Sequence, residues 1–153
     1  MNFHTAFSTV IAELTPQPWD YTTPDGTRLR VIPEGLSQDP GDGVVLMQIC
    51  EAAHVQVTPD GPEFSLRTSA MPELLAALHA RTECTVSASW DEELTVRPEA
   101  DGMRLAYTVW ARDTTGQGAD VDRTMLLPEA QRLPLASALA RAAGVARGWE
   151  DRA

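Results

Sequence analysis

The chain alternates between stretches with one apolar stripe and stretches that alternate apolar and polar every second residue. Phe3, Phe7, Val10, Ile11 and Leu14 fall on one face of a short helix that the Pro16 and Pro18 pair would end. WDYTT and TRLRVI then flank Pro24-Asp25-Gly26; Pro presets φ at the first turn position and Gly accepts positive φ, so a hairpin is predicted. PEGLSQDPGDG (33–43) reads as a loop. The nearly continuous apolar run GVVLMQIC reads as a central strand buried on both faces. HVQV (54–57) is a shorter alternating strand. Ser69 is placed to cap a helix whose Met71, Leu74, Leu75 and Leu78 share a face, with Pro72 tolerated in its first turn.

Strand character returns over residues 84–127. CTVSASW puts Val86, Ala88 and Trp90 on one side, and ELTV is a short strand. MRLAYTVWAR sets Leu105, Tyr107 and Val109 against Ala106, Thr108 and Trp110. VDRTMLL follows, and LPLASALARAAGVARGW closes the chain with helical period at Leu135, Leu139, Ala143 and Ala146. The expected fold is α+β: a mainly antiparallel sheet with helices packed on one face, in the order α-β(3–4)-α-β(4)-α. Strands joined by tight turns must be antiparallel, and segregated helices then cover one sheet face. One globular domain over residues 1–153 is expected from the length.

TPDG occurs at residues 23–26 and 58–61, with a looser copy in PEADGMRLAYTV (98–109). Turn chemistry alone produces such recurrences. The shared DG-x-R-L pattern nevertheless raises the question of an internal repeat.

Charge narrows the partners. The net charge is −10, and the basic residues are twelve Arg with no Lys. Residues 1–103 carry sixteen acids against five Arg, whereas residues 104–153 carry six against seven. From Arg30 to Arg67 the only charged side chains are Glu34, Asp39, Asp42, Glu51, Asp60 and Glu63. Such a field repels nucleic acid and anionic lipid and favours basic partners. The absence of Lys and the single Asn suggest a GC-rich genome of actinobacterial or phage kind. MNFHTAFSTVIAEL has no basic residue ahead of its broken apolar positions, which does not fit a signal peptide. No run approaches the ~18 apolar residues of a membrane span. A cytoplasmic protein with reduced, buried thiols at Cys50 and Cys84 is expected.

Candidate chemistry is sparse. Cys50, His54, His79 and Cys84 are the right types and number for tetrahedral zinc, but neither pair has the compact spacing of a zinc knuckle. Cys50 ends an apolar strand, where a thiol acts as a small hydrophobe. GQGADV (116–121) has the spacing of a dinucleotide fingerprint, yet a strand and not a helix follows it. Asp39 and Asp42 could meet a hard cation only from a flexible loop. Trp19, Trp90, Trp110 and Trp149 are expected in packing, since base stacking would want basic residues around them. No catalytic residue, cofactor or metal is assigned. An acidic docking surface is assigned to Glu34, Asp39, Asp42, Asp91, Glu92 and Glu93.

In element order and acidity the chain resembles type III secretion chaperones and their cytosolic relatives, although it has surplus strands in both halves. It is also similar in charge and size to small acidic immunity proteins, which neutralise basic toxins by electrostatic complementarity. Neither resemblance rests on a motif, so no family residue is carried over. The expected function is that of a small, acidic, non-enzymatic accessory protein that docks a basic or amphipathic protein partner, with homodimerisation open and no role for nucleic acid or membrane. The alternative is an enzyme or a zinc protein with an unadvertised site.

Overall fold

The computed structural model describes residues 19–36, 43–51, 63–88, 92–112 and 116–150. The predicted Phe3–Leu14 helix, the 54–57 strand and the second TPDG lie outside the described residues. Among these residues, eight strands form two antiparallel four-stranded sheets, with two α-helices, a mixed α+β fold. The first sheet runs β1 (Trp19–Thr22), β2 (Arg28–Leu36), β3 (Gly43–Cys50) and β4 (Glu63–Arg67) in simple succession. A 3-10 turn at Thr68–Ala70 leads into helix α1 (Met71–Ala80). The second sheet repeats the scheme with β5 (Cys84–Ser87), β6 (Glu93–Glu99), β7 (Gly102–Arg112) and β8 (Gly118–Pro128). A second 3-10 turn at Glu129–Gln131 leads into helix α2 (Arg132–Glu150).

The first TPDG is a turn. Thr23 N–H donates to the Thr27 carbonyl at 2.8 Å, Gly26 N–H donates to the Thr23 carbonyl at 2.9 Å, and Gly26 holds φ at 92°. The Asp25 carboxylate accepts from the Thr23 hydroxyl and from Thr27 N–H, the latter at 3.0 Å. Those bonds, the Thr23 hydroxyl first, hold its carboxyl below the ordinary 3.8. The carboxylate therefore serves the turn.

Two local expectations are corrected, and one unassigned stretch proves to be a strand. β2 continues through Pro33 to Leu36, where a loop was expected; Pro33 pairs with Val45, and the register shifts between Glu34 and Leu36. An irregular ladder accommodates Pro and Gly that would otherwise end a strand. EFSLR, unassigned from the sequence, forms β4. Ser69 does not cap α1: the N-cap is Ala70, with no side-chain cap, because the 3-10 turn takes up the position. The apolar stripes hold up better: Met71, Leu74 and Leu78 are buried along with Ala77, and Leu135, Leu139, Ala143 and Ala146 are all buried.

The two halves share one hydrophobic cluster. α1, which follows the first sheet, packs on the other helix and, of the two sheets, chiefly on β5 and β6 of the second. α2, which follows the second sheet, packs chiefly on β2 and β3 of the first, and the helices also touch each other. Arg132 ties this exchange: its Nη1 donates to the Leu78 and His79 carbonyls at 2.7 and 3.1 Å, two acceptors at the end of α1. Glu129 pairs with both Arg132 (2.7 Å) and Arg81 (3.2 Å). Arg81 ends α1 in the left-handed region at φ 53°.

The sheets meet at Tyr107. Its hydroxyl accepts from Ile49 N–H at 2.8 Å, one register step beyond the last β3–β4 pair, Gln48↔Glu63. Its ring lies 6.1 Å from that of Phe64, tilted at 41°. Burial pushes the phenol well above its ordinary 10.0.

Two predictions follow from these contacts. Gly26→Val forces a branched side chain to positive φ and should cost about 1–3 kcal/mol, whereas Asp25→Asn should be nearly silent. Denaturant unfolding checks both; a melting temperature raised by millimolar divalent cation would instead show a cation loop. Tyr107→Phe leaves Ile49 N–H without its buried acceptor and should cost about 1–3 kcal/mol at neutral pH. Because the folded phenol keeps its proton longer than the unfolded one, its contribution is intact below pH 10.0 and is lost as pH rises beyond it. Burial, the largest cause at both thiols, raises Cys50 and Cys84 and adds loss in the same direction from 9.0 upward. Alkaline melts of the Phe variant should therefore fall less steeply above pH 10 than those of the native protein.

Candidate functional site

Alternation along three strands gives the second sheet two unlike faces. Leu94 and Val96, Met103, Leu105, Tyr107 and Val109, and Met125 and Leu127 point into the core. The other face carries Glu93 and Thr95 on β6, Ala106, Thr108 and Trp110 on β7, and Asp120, Asp122 and Thr124 on β8. Thr95, Ala106 and Thr124 form one cross-strand row, and Glu93, Thr108 and Asp122 form the next. Because Ala106 is the smallest side chain in this array, the rows leave a hollow of about 270 Å³ above it. Thr108 Oγ1 donates to Asp122 Oδ1 at 2.5 Å, fixing one carboxylate on the rim.

Trp110 stands at the end of this face and is 52% exposed, contrary to the expectation that the tryptophans serve packing. Its ring lies across Gly118; a Cβ there would come within 1.8 Å of Trp110 Cζ2. Glycine thus gives the indole a flat floor. Trp110 N–H donates to Glu92 Oε1 at 3.2 Å, so Glu92 satisfies a backbone group that lies past the start of β6. Asp120 sits directly across from Trp110. An exposed aromatic ring with Asp120 directly across from it, and Glu93 and Asp122 one row further along the same face, can take a cationic side chain by contact with the ring face and by ion pairing. The opposite end of the face is basic, with Arg97 beside Arg104, which is paired to Glu99 at 3.1 Å.

Of the acids assigned from sequence, Glu93 lies on the hollow's rim and Glu92 caps Trp110 N–H. Glu34 lies in β2 of the other sheet, while Asp39, Asp42 and Asp91 fall outside the described residues. Trp110, Asp120 and Asp122 were missed as site residues; the alternation of MRLAYTVWAR had already put Trp110 opposite the core positions. Among the described residues no three His, Cys, Asp or Glu side chains gather as a metal set. Cys50 and Cys84 are buried free thiols at the ends of strands in different sheets, His79 is exposed in the last turn of α1, and His54 lies outside the described residues. Burial raises Cys50 despite the opposing charges of Arg28, Arg123 and Arg30. GQGADV leads into β8 and not into a helix, as its sequence context indicated. No described helix is long and apolar enough to cross a membrane.

No protein-family model and no curated protein matches the sequence. Among solved structures, the crystal structure of Trypanosoma bruciei MRP1/MRP2 is similar in fold, with a TM-score of 0.58 at 19% identity over 93% of each chain. That likeness concerns the fold alone.

The Gly118 floor gives a direct test. Gly118→Val should displace the Trp110 ring, changing the indole N–H resonance and emission of Trp110, while stability moves by only about 0.5–1 kcal/mol because the site is exposed. An unshifted Trp110 signal would refute the stacked arrangement.

Proposed function

We propose that this chain is a small acidic, non-enzymatic accessory protein that docks a basic segment of a protein partner on the outer face of its second sheet. The observation that supports the reading is the half-exposed Trp110 with Asp120 across from it, on the same sheet face as the Ala106 hollow that Glu93 and Asp122 line. Large exposed aromatic residues are enriched where proteins dock, and carboxylates around them select the sign of the partner. Glu34, Asp39, Asp42 and Asp91 would extend the acidic field that steers the approach. Chaperone-like, immunity-like and phage or plasmid accessory roles all use such docking, in the cytoplasm. The proposal keeps the expected α-β(3–4)-α-β(4)-α order with helices on one sheet face, in one domain.

Affinity capture with the native chain as bait, at low and high salt, tests the reading. A partner should be retained at low salt and lost as ionic strength rises. It should also be lost from a Trp110→Ala, Glu93→Gln, Asp122→Asn bait that still melts like the native protein. Partners indifferent both to salt and to these substitutions would sink the proposal.

A further inference from the structure

Among the described residues, the two sheets present four edge strands. Three are short: β1 and β5 have four residues each and β4 has five. The fourth, β8, has eleven, and it pairs with β7 over its whole length without a register shift. Folded proteins usually blunt long edges with Lys, Pro or a bulge. From Gly118 to Leu127 β8 has none of these, and its first half is largely exposed. Its outward protection consists of two acids, Asp120 and Asp122.

The phase of the ladder is fixed by one bond past its end. Glu129 N–H donates to the Asp101 carbonyl at 3.1 Å, next to the Gly102↔Pro128 pair. In an antiparallel ladder alternate residues turn both backbone groups to the same side. Odd-numbered residues of β8 therefore face β7, and even-numbered ones direct N–H and C=O away from the sheet. Pro128, which has no N–H, is on the outward set. Asp122 is also on it, and its carbonyl accepts from Arg123 Nη1 at 3.1 Å, a bond that an incoming strand would replace. The residues whose backbone faces outward, Asp120, Asp122 and Thr124, are the same ones whose side chains lie on the Trp110 face.

We infer that β8 accepts a basic extended segment of the partner as an additional strand, with cationic side chains at every second position. This rests on the docking reading above and specifies its mode. Residues set opposite Asp120 and Asp122 would share backbone bonds with them and point their own side chains onto the same face, beside the carboxylates and Trp110. Charge chooses the occupant. A second copy of this chain brings its own net charge of −10, and pairing centred on the exposed half of β8 sets its acids against each other.

A short synthetic peptide alternating arginine and valine tests this on the intact chain, with amide exchange and binding read by NMR. Slower exchange of the Asp120, Asp122 and Thr124 amides on binding is expected. N-methylation at the arginines should abolish binding, whereas N-methylation at the valines should be tolerated. An Asp120→Asn, Asp122→Asn variant should bind roughly tenfold more weakly, as two exposed ion pairs allow. If both methylated forms bind as well as the parent, strand addition is overturned while docking on the sheet face stands. If no form binds, both fall. Protection of these amides that rises with protein concentration alone would give the edge to a second copy and overturn the basic occupant.

Discussion

The Tyr107 hydroxyl that accepts from Ile49 N–H sits where the arrangement of both sheets is decided. β3 outruns β4 in their described pairing, so Ile49 turns an N–H toward a place where no described strand partner stands. A buried donor without an acceptor is costly, and the acceptor comes from the other sheet. That bond sets β7 against β3 at one register, with Phe64 beside the tyrosine ring. The exchange of helices depends on the same alignment. Each helix lies chiefly on the sheet it does not follow, so neither half completes its apolar contacts within itself. Arg132, holding the last carbonyls of α1, closes the exchange from the other end.

With the inner face of the second sheet committed to the core, its outer face is free to be polar. Its composition is uneven. Small and hydroxylated side chains occupy the middle rows, which opens the Ala106 hollow, and aromatic and acidic residues gather toward the β7–β8 tip. The first sheet differs, since Val44, Gln48 and Cys50, on its other face, are buried as well. Gln48 and Cys50 lie on the same side as Arg28 and Arg30, and Asp20 pairs with both arginines at 3.3 and 2.9 Å. Charges on the first sheet are thus largely spent on one another, whereas Asp120 and Asp122 face outward.

Much of this was legible in the residues. Strict alternation in MRLAYTVWAR separated core from surface positions, and the α2 stripe was read correctly, because one-sided burial writes itself into the sequence with period two or 3.6. The division into two sheets was not legible. Hairpin chemistry says which neighbours pair, but nothing local to Arg67–Cys84 says that pairing stops there. Ser69 as a cap and PEGL as a loop were misread because pairing and a 3-10 turn overrode residue preference. Trp110 was misassigned for a different reason: indole favours burial in general, and only the glycine eight positions on, brought beneath it by the hairpin, makes an exposed seat.

The recurring TPDG pattern looks like the mark of a duplicated unit, yet its first copy and its looser third copy stand at unlike points of the fold. The first joins β1 to β2, and the looser third copy joins β6 to β7. The likeness between halves lies elsewhere, in the passage from the last strand through a 3-10 turn into a helix. There Phe64, Leu66, Leu74, Ala77 and Leu78 correspond at one constant offset to Met125, Leu127, Leu135, Ala138 and Leu139, and all ten are buried. Turn residues recur because tight turns demand them anywhere. A constant spacing of buried positions across strand, turn and helix has no such local cause, since each residue must meet the other half of the core. What distinguishes the second half is the longer β7–β8 hairpin. Its added length extends past β5 and β6, yet it still turns Val109 into the core, with Val121 packed beside it. Alternation sends Trp110 and Asp120 outward from that surplus, with Asp122 one row back beside β6, so a single hairpin tip both fills the core and presents an aromatic and acidic outer face.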